Sequence, residues 1–350
     1  MTTDVTRRIP VMADVAKVAG VSHQTVSRVL NDHPNVRPET RDRVLAAIAQ
    51  LGYRRNLSAR ALVTRQTNTL GVVAFDTTLY GPASTLFGIE QAARDAGYFV
   101  SIVSLKNITR RNLDEALDYL VEQAVDGLIV IAPQRSAAEA LAGLPPTLPA
   151  VAVEGGEAGT LPVVAVNQAE GAVLATRHLL DLGPSTVWHV AGPSDWLEAE
   201  GRVHGWRQTL IDAGAPVPEL LRGDWSPRSG YEAGKRLAEA ARSAAGPPIE
   251  AVFVANDQMA LGMLRAFGEA GIRVPGDVRL VGFDDIPEAE FFSPPLSTVR
   301  QDFTEVGRRS IDMVLAEIQG GAHRGDGRQA IVPPDLIVRS SSGPSDDGSG

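Results

Sequence analysis

Cysteine is absent from all 350 residues, which excludes disulfide staples, thiolate metal sites and a cysteine nucleophile. No apolar run reaches the ~18 residues that a membrane-spanning helix needs. The segment Met1 to Pro10 has no apolar stretch followed by a small-residue cleavage site, so no secretory signal is expected. Together these absences lead to the expectation of a cytoplasmic protein without membrane contact. Enzyme signatures are missing too. There is no P-loop and no G-x-S-x-G elbow, and Gly155-Gly-Glu-Ala-Gly159 lacks the spacing of a dinucleotide-binding turn. The six histidines (His23, His33, His178, His189, His204 and His323) show no metal-ligand spacing. Neither catalysis nor a metal or other cofactor is expected, and no repeat of short fixed period is found.

What is present is a chain with enough apolar residues, 44%, to bury a sizeable core, and long enough for two or three domains. Its charge is unevenly placed. Residues 1–65 hold eleven Arg and Lys against five acids, a net +6, whereas the whole chain is −9, which leaves −15 on the remainder. A basic head on an acidic body is the asymmetry of a protein that touches a polyanion.

The head reads as three short helices. Met12, Val15, Ala16 and Ala19 share one helical face. Gly20 permits a tight turn, and Ser22 is placed to cap a second helix that runs to about Asn31. In that helix Val26, Val29 and Leu30 face inward, and His23, Gln24, Ser27 and Arg28 face out. A third helix starts near Pro38, buries Val44, Ile48 and Leu51, and stops at Gly52. Two helices joined by a short glycine turn and packed on a third make a helix-turn-helix.

From about Leu70 the pattern changes to short β-branched runs alternating with helical stretches. The expected strands are Leu70–Phe75, Phe99–Leu105, Gly127–Ala132, Ala150–Val153, Val163–Val166, Val187–Ala191, Ala251–Ala255 and Leu280–Asp284. The expected helices are Leu86–Ala96, Leu113–Gln123, Gly171–Leu182, Ala199–Ala213, Arg228–Ala245 and Gln258–Ala270. Such alternation predicts an α/β fold with parallel sheets covered on both faces. Some 260 residues exceed one doubly wound unit, so two lobes with a cleft between them are expected.

The segment Val15-Ala-Lys-Val-Ala-Gly-Val-Ser-His-Gln-Thr-Val-Ser-Arg-Val-Leu-Asn31 closely resembles the DNA-binding head of the lac repressor (LacI/GalR) family. The resemblance continues through Thr40-Arg-Asp-Arg-Val44, Leu51-Gly-Tyr53, Asn56 and Ala59-Arg-Ala-Leu62. It resumes at Gly223-Asp-Trp-Ser226, Val254-Ala-Asn-Asp-Gln-Met-Ala-Leu-Gly262, Val281-Gly-Phe-Asp-Asp285 and Pro294 to Phe303. It implies a helix-turn-helix head at 1–54, a hinge at 55–68 and a two-lobed core resembling type I periplasmic binding proteins. The first lobe would comprise 69–167 and 297–328, the second 168–296 and 329–340, with a disordered Ser/Gly/Asp-rich tail at 341–350.

The resemblance also implies roles. With the second helix in the major groove, His23, Gln24 and Arg28 become base readers, since Gln pairs bidentately with adenine and Arg with guanine. Ser22, Thr25, Ser27, Asn31 and Arg41 become phosphate contacts. Arg37 stands where the family usually has a Ser cap. In the hinge, Asn56 and Leu62 match a segment that inserts a leucine wedge into the minor groove. For the core the resemblance implies a sugar effector. Arg202, Asn256 and Asp284 would bind hydroxyls, Trp225 would form an aromatic plate, and Gln301 and Phe303 would close the floor. Leu79, Gly81 and Pro82 match a pocket loop of the other lobe. Asp257 is expected to be a structural helix cap.

This chain also departs from the family pattern. Gln134 and Arg135 follow Ile131-Ala-Pro133 where a sugar-binding carboxylate is expected, and Trp196 and Glu198 replace small hydroxyl residues. Arg135 and Trp196 are therefore added to the expected effector site, and Trp196 favours a second sugar ring. The partners implied are palindromic operator DNA, a sugar and a second copy of the chain, with the exposed pair Phe291 and Phe292 near the dimer contact. An inducing sugar is the first reading; a co-repressor that tightens DNA binding and a sugar-binding protein without a regulatory role are the alternatives.

Overall fold

The computed structural model describes residues 10–54, 66–106, 109–135, 141, 148–154, 161–243, 248–320 and 328–343. Its contacts divide the chain into two compact units, Met1–Thr67 and Asn68–Gly350.

The smaller unit holds α1 (Met12–Ala19), α2 (His23–Leu30) and α3 (Pro38–Leu51). The Asp14 carboxylate accepts the Val11 N–H at 2.9 Å to open α1, and Gly20 closes it at φ 64°, the left-handed region glycine tolerates best. Ser22 Oγ accepts the Thr25 N–H at 3.1 Å and caps α2. Pro38 opens α3, where Arg37 makes no side-chain cap bond. Val15, Ala16, Ala19, Val26, Val29, Val44, Ala47 and Tyr53 meet in one small core. Ile48 and Leu51, expected to be buried, pack half-buried against it, and Ala47 takes the central place because it faces the other helices directly.

The larger unit carries two six-stranded sheets. The first contains β1 (Thr69–Phe75), β2 (Phe99–Leu105), β3 (Gly127–Ile131), β4 (Ala150–Val153) and β5 (Val163–Val166), and the second contains β6 (Trp188–Ala191), β7 (Leu221–Arg222), β8 (Ala251–Val254), β9 (Arg279–Asp284) and β10 (Ser297–Arg300). Then β11 (Gln329–Val332) returns to the first sheet and β12 (Asp335–Ile337) to the second. The orders are β11-β5-β4-β3-β1-β2 and β12-β10-β9-β8-β6-β7. All pairings are parallel except that of β12 with β10.

The helices of this unit are α4 (Tyr80–Asp95), α5 (Arg110–Glu122), α6 (Gln168–Asp181), α7 (Leu197–Asp212), α8 (Pro227–Ser243), α9 (Asp257–Ala270) and α10 (Phe303–Ile318). Period-two alternation assigns them to faces. Leu70, Val72 and Ala74 of β1 pack with Ile89 of α4 and Val306, Ile311 and Val314 of α10, whereas Val73 packs with Leu113, Leu117 and Leu120 of α5. In the second sheet Ala251 and Phe253 meet α6 and α7, and Val252 and Val254 meet α8 and α9. Each sheet is thus covered on both faces, which is the α/β architecture the alternation predicts.

Two expectations about boundaries need correction. The resemblance places residues 297–300 in the first lobe and 329–332 in the second, but β10 pairs with β9 in the second sheet and β11 with β5 in the first. The chain crosses after these strands, not before them, because each is completed in register with its neighbour first. Ser341 and Ser342, expected in the disordered tail, are fully buried. Ser341 Oγ donates to the Leu280 carbonyl at 2.7 Å and accepts the Ser297 N–H at 2.7 Å, and Ser342 Oγ lies 2.8 Å from His178 Nε2. These hydroxyls tie the chain to the amino ends of β9 and β10, inside the second sheet. The rest of the expected tail, 344–350, lies outside the described residues.

Candidate functional site

In the head, α2 presents His23, Gln24 and Arg28 to solvent, and none of these side chains has a hydrogen-bond partner among the described residues. They are free to meet a ligand. The residues expected at phosphates are more occupied. Ser22 caps α2 and its Oγ lies 2.9 Å from Thr25 Oγ1. Ser27 Oγ accepts from Asn31 Nδ2 at 3.5 Å. Arg41 pairs with Asp32 at 2.5 Å and donates to the His33 carbonyl at 3.3 Å, pinning α3 to the turn after α2. Asn56 and Leu62 lie outside the described residues.

In the larger unit, the carboxyl ends of β1, β6, β8, β9 and β10 converge on a cavity of about 280 Å³, the usual place for a ligand in open α/β sheets. Leu79, Gly81, Pro82, Trp196, Arg202, Trp225, Asn256, Asp284 and Gln301 all line it, as expected. Leu79, Gly81 and Pro82 form the cap and first turn of α4, not a loop, since that helix starts well before its apolar stripe.

A ring of side chains sits at the base. Arg202 Nε donates to Gln168 Oε1 at 2.9 Å, Gln168 Nε2 to Gln301 Oε1 at 2.9 Å, and Gln301 Nε2 to Asp284 Oδ1 at 2.7 Å. Arg202 Nη2 lies 3.8 Å from Asp284 Oδ1, and the guanidinium stacks 3.8 Å above the Phe283 ring. Every member is buried. Burial raises the Asp284 carboxyl to about 6, with Arg202 and the Gln301 bond opposing that rise.

Aromatic rings form the wall. Trp196 and Trp225 meet edge to face at 5.4 Å, and Phe75 backs Trp196 at 5.9 Å. Trp225 fits only because Gly192 lies beneath it: a Cβ there would stand 2.2 Å from the indole. Glu154, Trp225 and Asp284 have φ of 59°, 74° and 107°. Left-handed backbone at three non-glycine residues costs about 1–3 kcal/mol each, strain of the kind that concentrates at ligand sites.

Several expected residues sit elsewhere. Arg135 is exposed and does not line the cavity; its backbone N–H donates to the Asp195 carbonyl at 3.0 Å in a short bridge that pairs Gln134 with Trp196, which leaves the side chain in solvent. Phe303 lies one layer back, its ring 6.0 Å from that of Tyr80, which lines the cavity itself. Asn256 caps α9, its Oδ1 accepting the Met259 N–H at 3.0 Å while Nδ2 donates to the Trp225 carbonyl at 3.1 Å. Its side chain is therefore committed to shaping the site. Asp257, expected as that cap, instead accepts from Thr298 Oγ1 at 2.6 Å and the Ile286 N–H at 2.9 Å. Phe291 is 79% exposed, but Phe292 packs on the core of the second lobe, so the two do not form one exposed pair.

Sequence reasoning missed Thr78, Tyr80, Ser226 and Gln258 on the wall and the buried Glu154 and Gln168 behind it. Ser226 and Gln258 carry a signal, since both fall inside segments that match the family pattern, and Gln168 is a polar residue opening a helix just after a strand. No group of three or more His, Cys, Asp or Glu among the described residues is placed to hold a metal ion. No helix among them is long and apolar enough to cross a membrane.

The helix-turn-helix unit and the two-lobed receptor define a DNA-binding regulator with a small-molecule site. The family described as bacterial regulatory proteins, lacI family, matches residues 11–56, and the periplasmic binding protein-like domain matches residues 176–342. The chain is 33% identical over 331 residues to the lactose operon repressor of Escherichia coli (strain K12), covering 94% of this chain and 89% of that protein. It is 32% identical to the HTH-type transcriptional repressor PurR of Haemophilus influenzae, over 94% of this chain and 97% of the relative. The lac repressor dimer bound to operator and the anti-inducer ONPF superposes with a TM-score of 0.84 at 32% identity, over 96% of this chain and 99% of that one. The transcriptional regulator CelR–cellobiose complex superposes with a TM-score of 0.67 at 29% identity, over 95% and 99%. The chain belongs to the lacI family: it is a DNA-binding transcriptional repressor whose periplasmic-binding-like core takes a small-molecule effector.

Proposed function

We propose that this repressor holds a twofold operator as a homodimer and releases it when a sugar, in the first instance a disaccharide, fills the cleft. The observation that carries this reading is the aromatic wall of Trp196 and Trp225 beside the buried ring of Arg202, Gln168, Gln301 and Asp284. Sugars offer C–H patches to aromatic faces and paired hydroxyls to planar polar groups, and this wall offers both partners. The relatives support it: one solved neighbour is a dimer on operator DNA, and another holds cellobiose. His23, Gln24 and Arg28 then read base edges, and Ser22, Thr25, Ser27, Asn31 and Arg41 set the register on phosphates. Asn56 and Leu62 serve in the hinge, Leu62 as the minor-groove wedge. Phe291 belongs to the dimer contact. No reaction is catalysed, no cofactor is needed, and the protein works in the cytoplasm, where the chromosome is.

The coupling requires only that sugar bind the released form more tightly than the DNA-bound form, by about 1–3 kcal/mol. A mobility shift on the protein's own upstream DNA, with and without α- and β-linked disaccharides, tests it. Release by one sugar is the expected result. Tightening by a ligand overturns induction in favour of co-repression, and binding indifferent to every sugar overturns the ligand class.

A further inference from the structure

Glu198 stands where the family pattern has a small hydroxyl residue. It lies in the first turn of α7, half-buried, and lines the cavity beside Arg202 and Asp284. Asp284 accepts one hydrogen bond from Gln301, whereas the Glu198 carboxylate meets no hydrogen-bond donor among the described residues. From the first lobe, just past β4, Glu154 stands close enough for the two charges to interact, its Oε1 accepting the Val166 N–H at 2.9 Å. Burial comes first and mutual repulsion second in holding the Glu154 carboxyl above the ordinary range; burial likewise raises Glu198, which Arg202 opposes and Asp284 reinforces.

The cation that lines this cavity is already occupied. Arg202 gives Nε to Gln168, Nη1 to the Ala255 carbonyl and its face to Phe283, and its remaining nitrogen points at Asp284. A ligand therefore meets free carboxylate oxygen without a free positive charge. A carboxylate can accept a hydroxyl proton, but it repels any group that carries its own negative charge, and most strongly where water is excluded.

We propose that Glu198 is the specificity-determining residue of the effector cleft: it accepts a hydroxyl of an uncharged sugar and excludes sugars bearing carboxylate or phosphate. This rests on the sugar reading above and narrows it to the neutral members of that class.

The test measures affinities of cellobiose, lactose and maltose, each against its own aldonate, at pH 8.5, above the value of about 7 to which burial raises Glu198, by calorimetry and tryptophan fluorescence on the full-length wild-type protein, Glu198→Gln and Glu198→Ser. Operator binding by each variant serves as the check that it is folded. A neutral disaccharide is expected to bind wild type about 100-fold more tightly than its aldonate, and both variants to shrink that ratio to about 10-fold or less. Aldonate binding as tight as the neutral sugar overturns the proposal. So does a ratio unchanged in both variants. Loss of both ligands from both variants, with operator binding kept, makes Glu198 a general anchor and overturns its selecting role. If no sugar of either kind binds wild type, the sugar reading itself falls, an outcome distinct from failed charge selection.

Discussion

Arg28 and Asp284 belong to different units, and their substitutions separate the two activities. Arg28 is exposed on α2 and has no hydrogen bond to lose among the described residues, so Arg28→Ala leaves the head folded. It is expected to cost about 1–3 kcal/mol of operator affinity per half-site, with sugar binding intact. Fluorescence anisotropy on operator and scrambled duplexes checks this; an equal loss on both would make Arg28 a phosphate contact. Arg41→Ala contrasts with it, because Arg41 ties α3 to Asp32 and His33 and its loss should lower the stability of the head as well. Asp284→Asn keeps an acceptor for Gln301 and removes the carboxylate charge. The expected product is a repressor that binds operator normally and is released only at sugar concentrations about 10–100-fold higher, the range of one lost charge-assisted bond. A variant released at the wild-type concentration would show that Asp284 does not touch the ligand.

Elements were legible where a period had room to show itself. The predicted ends of β2, β4 and β5 coincide with the observed ones, since short runs rich in valine, isoleucine and small residues between turn-forming segments leave little choice. The strands β7 and β12 pass unseen because two or three positions carry no alternation, and β10 and β11 because Ser297, Thr298, Arg300 and Gln329 leave too few apolar residues. Helix α10 was also missed, although Asp302 caps it by accepting the Glu305 N–H at 2.9 Å and Val306, Ser310 and Val314 mark one buried stripe. In the cavity, planar and aromatic residues could be named from their types and motifs, but Glu154 and Gln168 reach it from distant segments that only the folded lobes bring together. The helix pair α4–α10 yields a test at this scale. A Cβ on Gly307 would stand 2.2 Å from the carbonyl carbon of Gly88, which is backbone and cannot rotate away. Gly307→Ala should therefore force the helices apart and destabilise the core by about 1–3 kcal/mol. Thermal unfolding reads that loss, and an unchanged Tm would mean that the two helices slide without cost.

Across the whole molecule the buried titrating groups act in opposing directions as pH changes. Burial raises Asp284 to about 6, and it raises Glu154, Glu198 and Asp257 as well. An acid raised in the folded state stabilises fully below its unfolded pKa, and that contribution disappears as pH climbs through the folded value. His189 works the other way. It is sealed between Phe253 and Trp206 and its pKa is lowered to about 3, so its contribution is complete above its usual value of about 6.5 and shrinks as pH falls below it. Above about pH 6.5 the histidine has nothing more to give, and only the carboxyl losses remain. Between about pH 5 and 6 the four carboxyls lose more than the histidine gains, so the ligand-free protein should already weaken from pH 5 and go on weakening towards pH 8.5. Each proton forced off costs about 1.4 kcal/mol per pH unit, which is about 2–4 °C in Tm for a domain of a few hundred residues. Calorimetric scans from pH 5 to 9 measure the curve, and Glu154→Gln should flatten its alkaline limb. A Tm that holds or rises to pH 8.5 in the wild type would mean that these carboxyls already share their charge with water, and that the cleft is wetter than its packing implies.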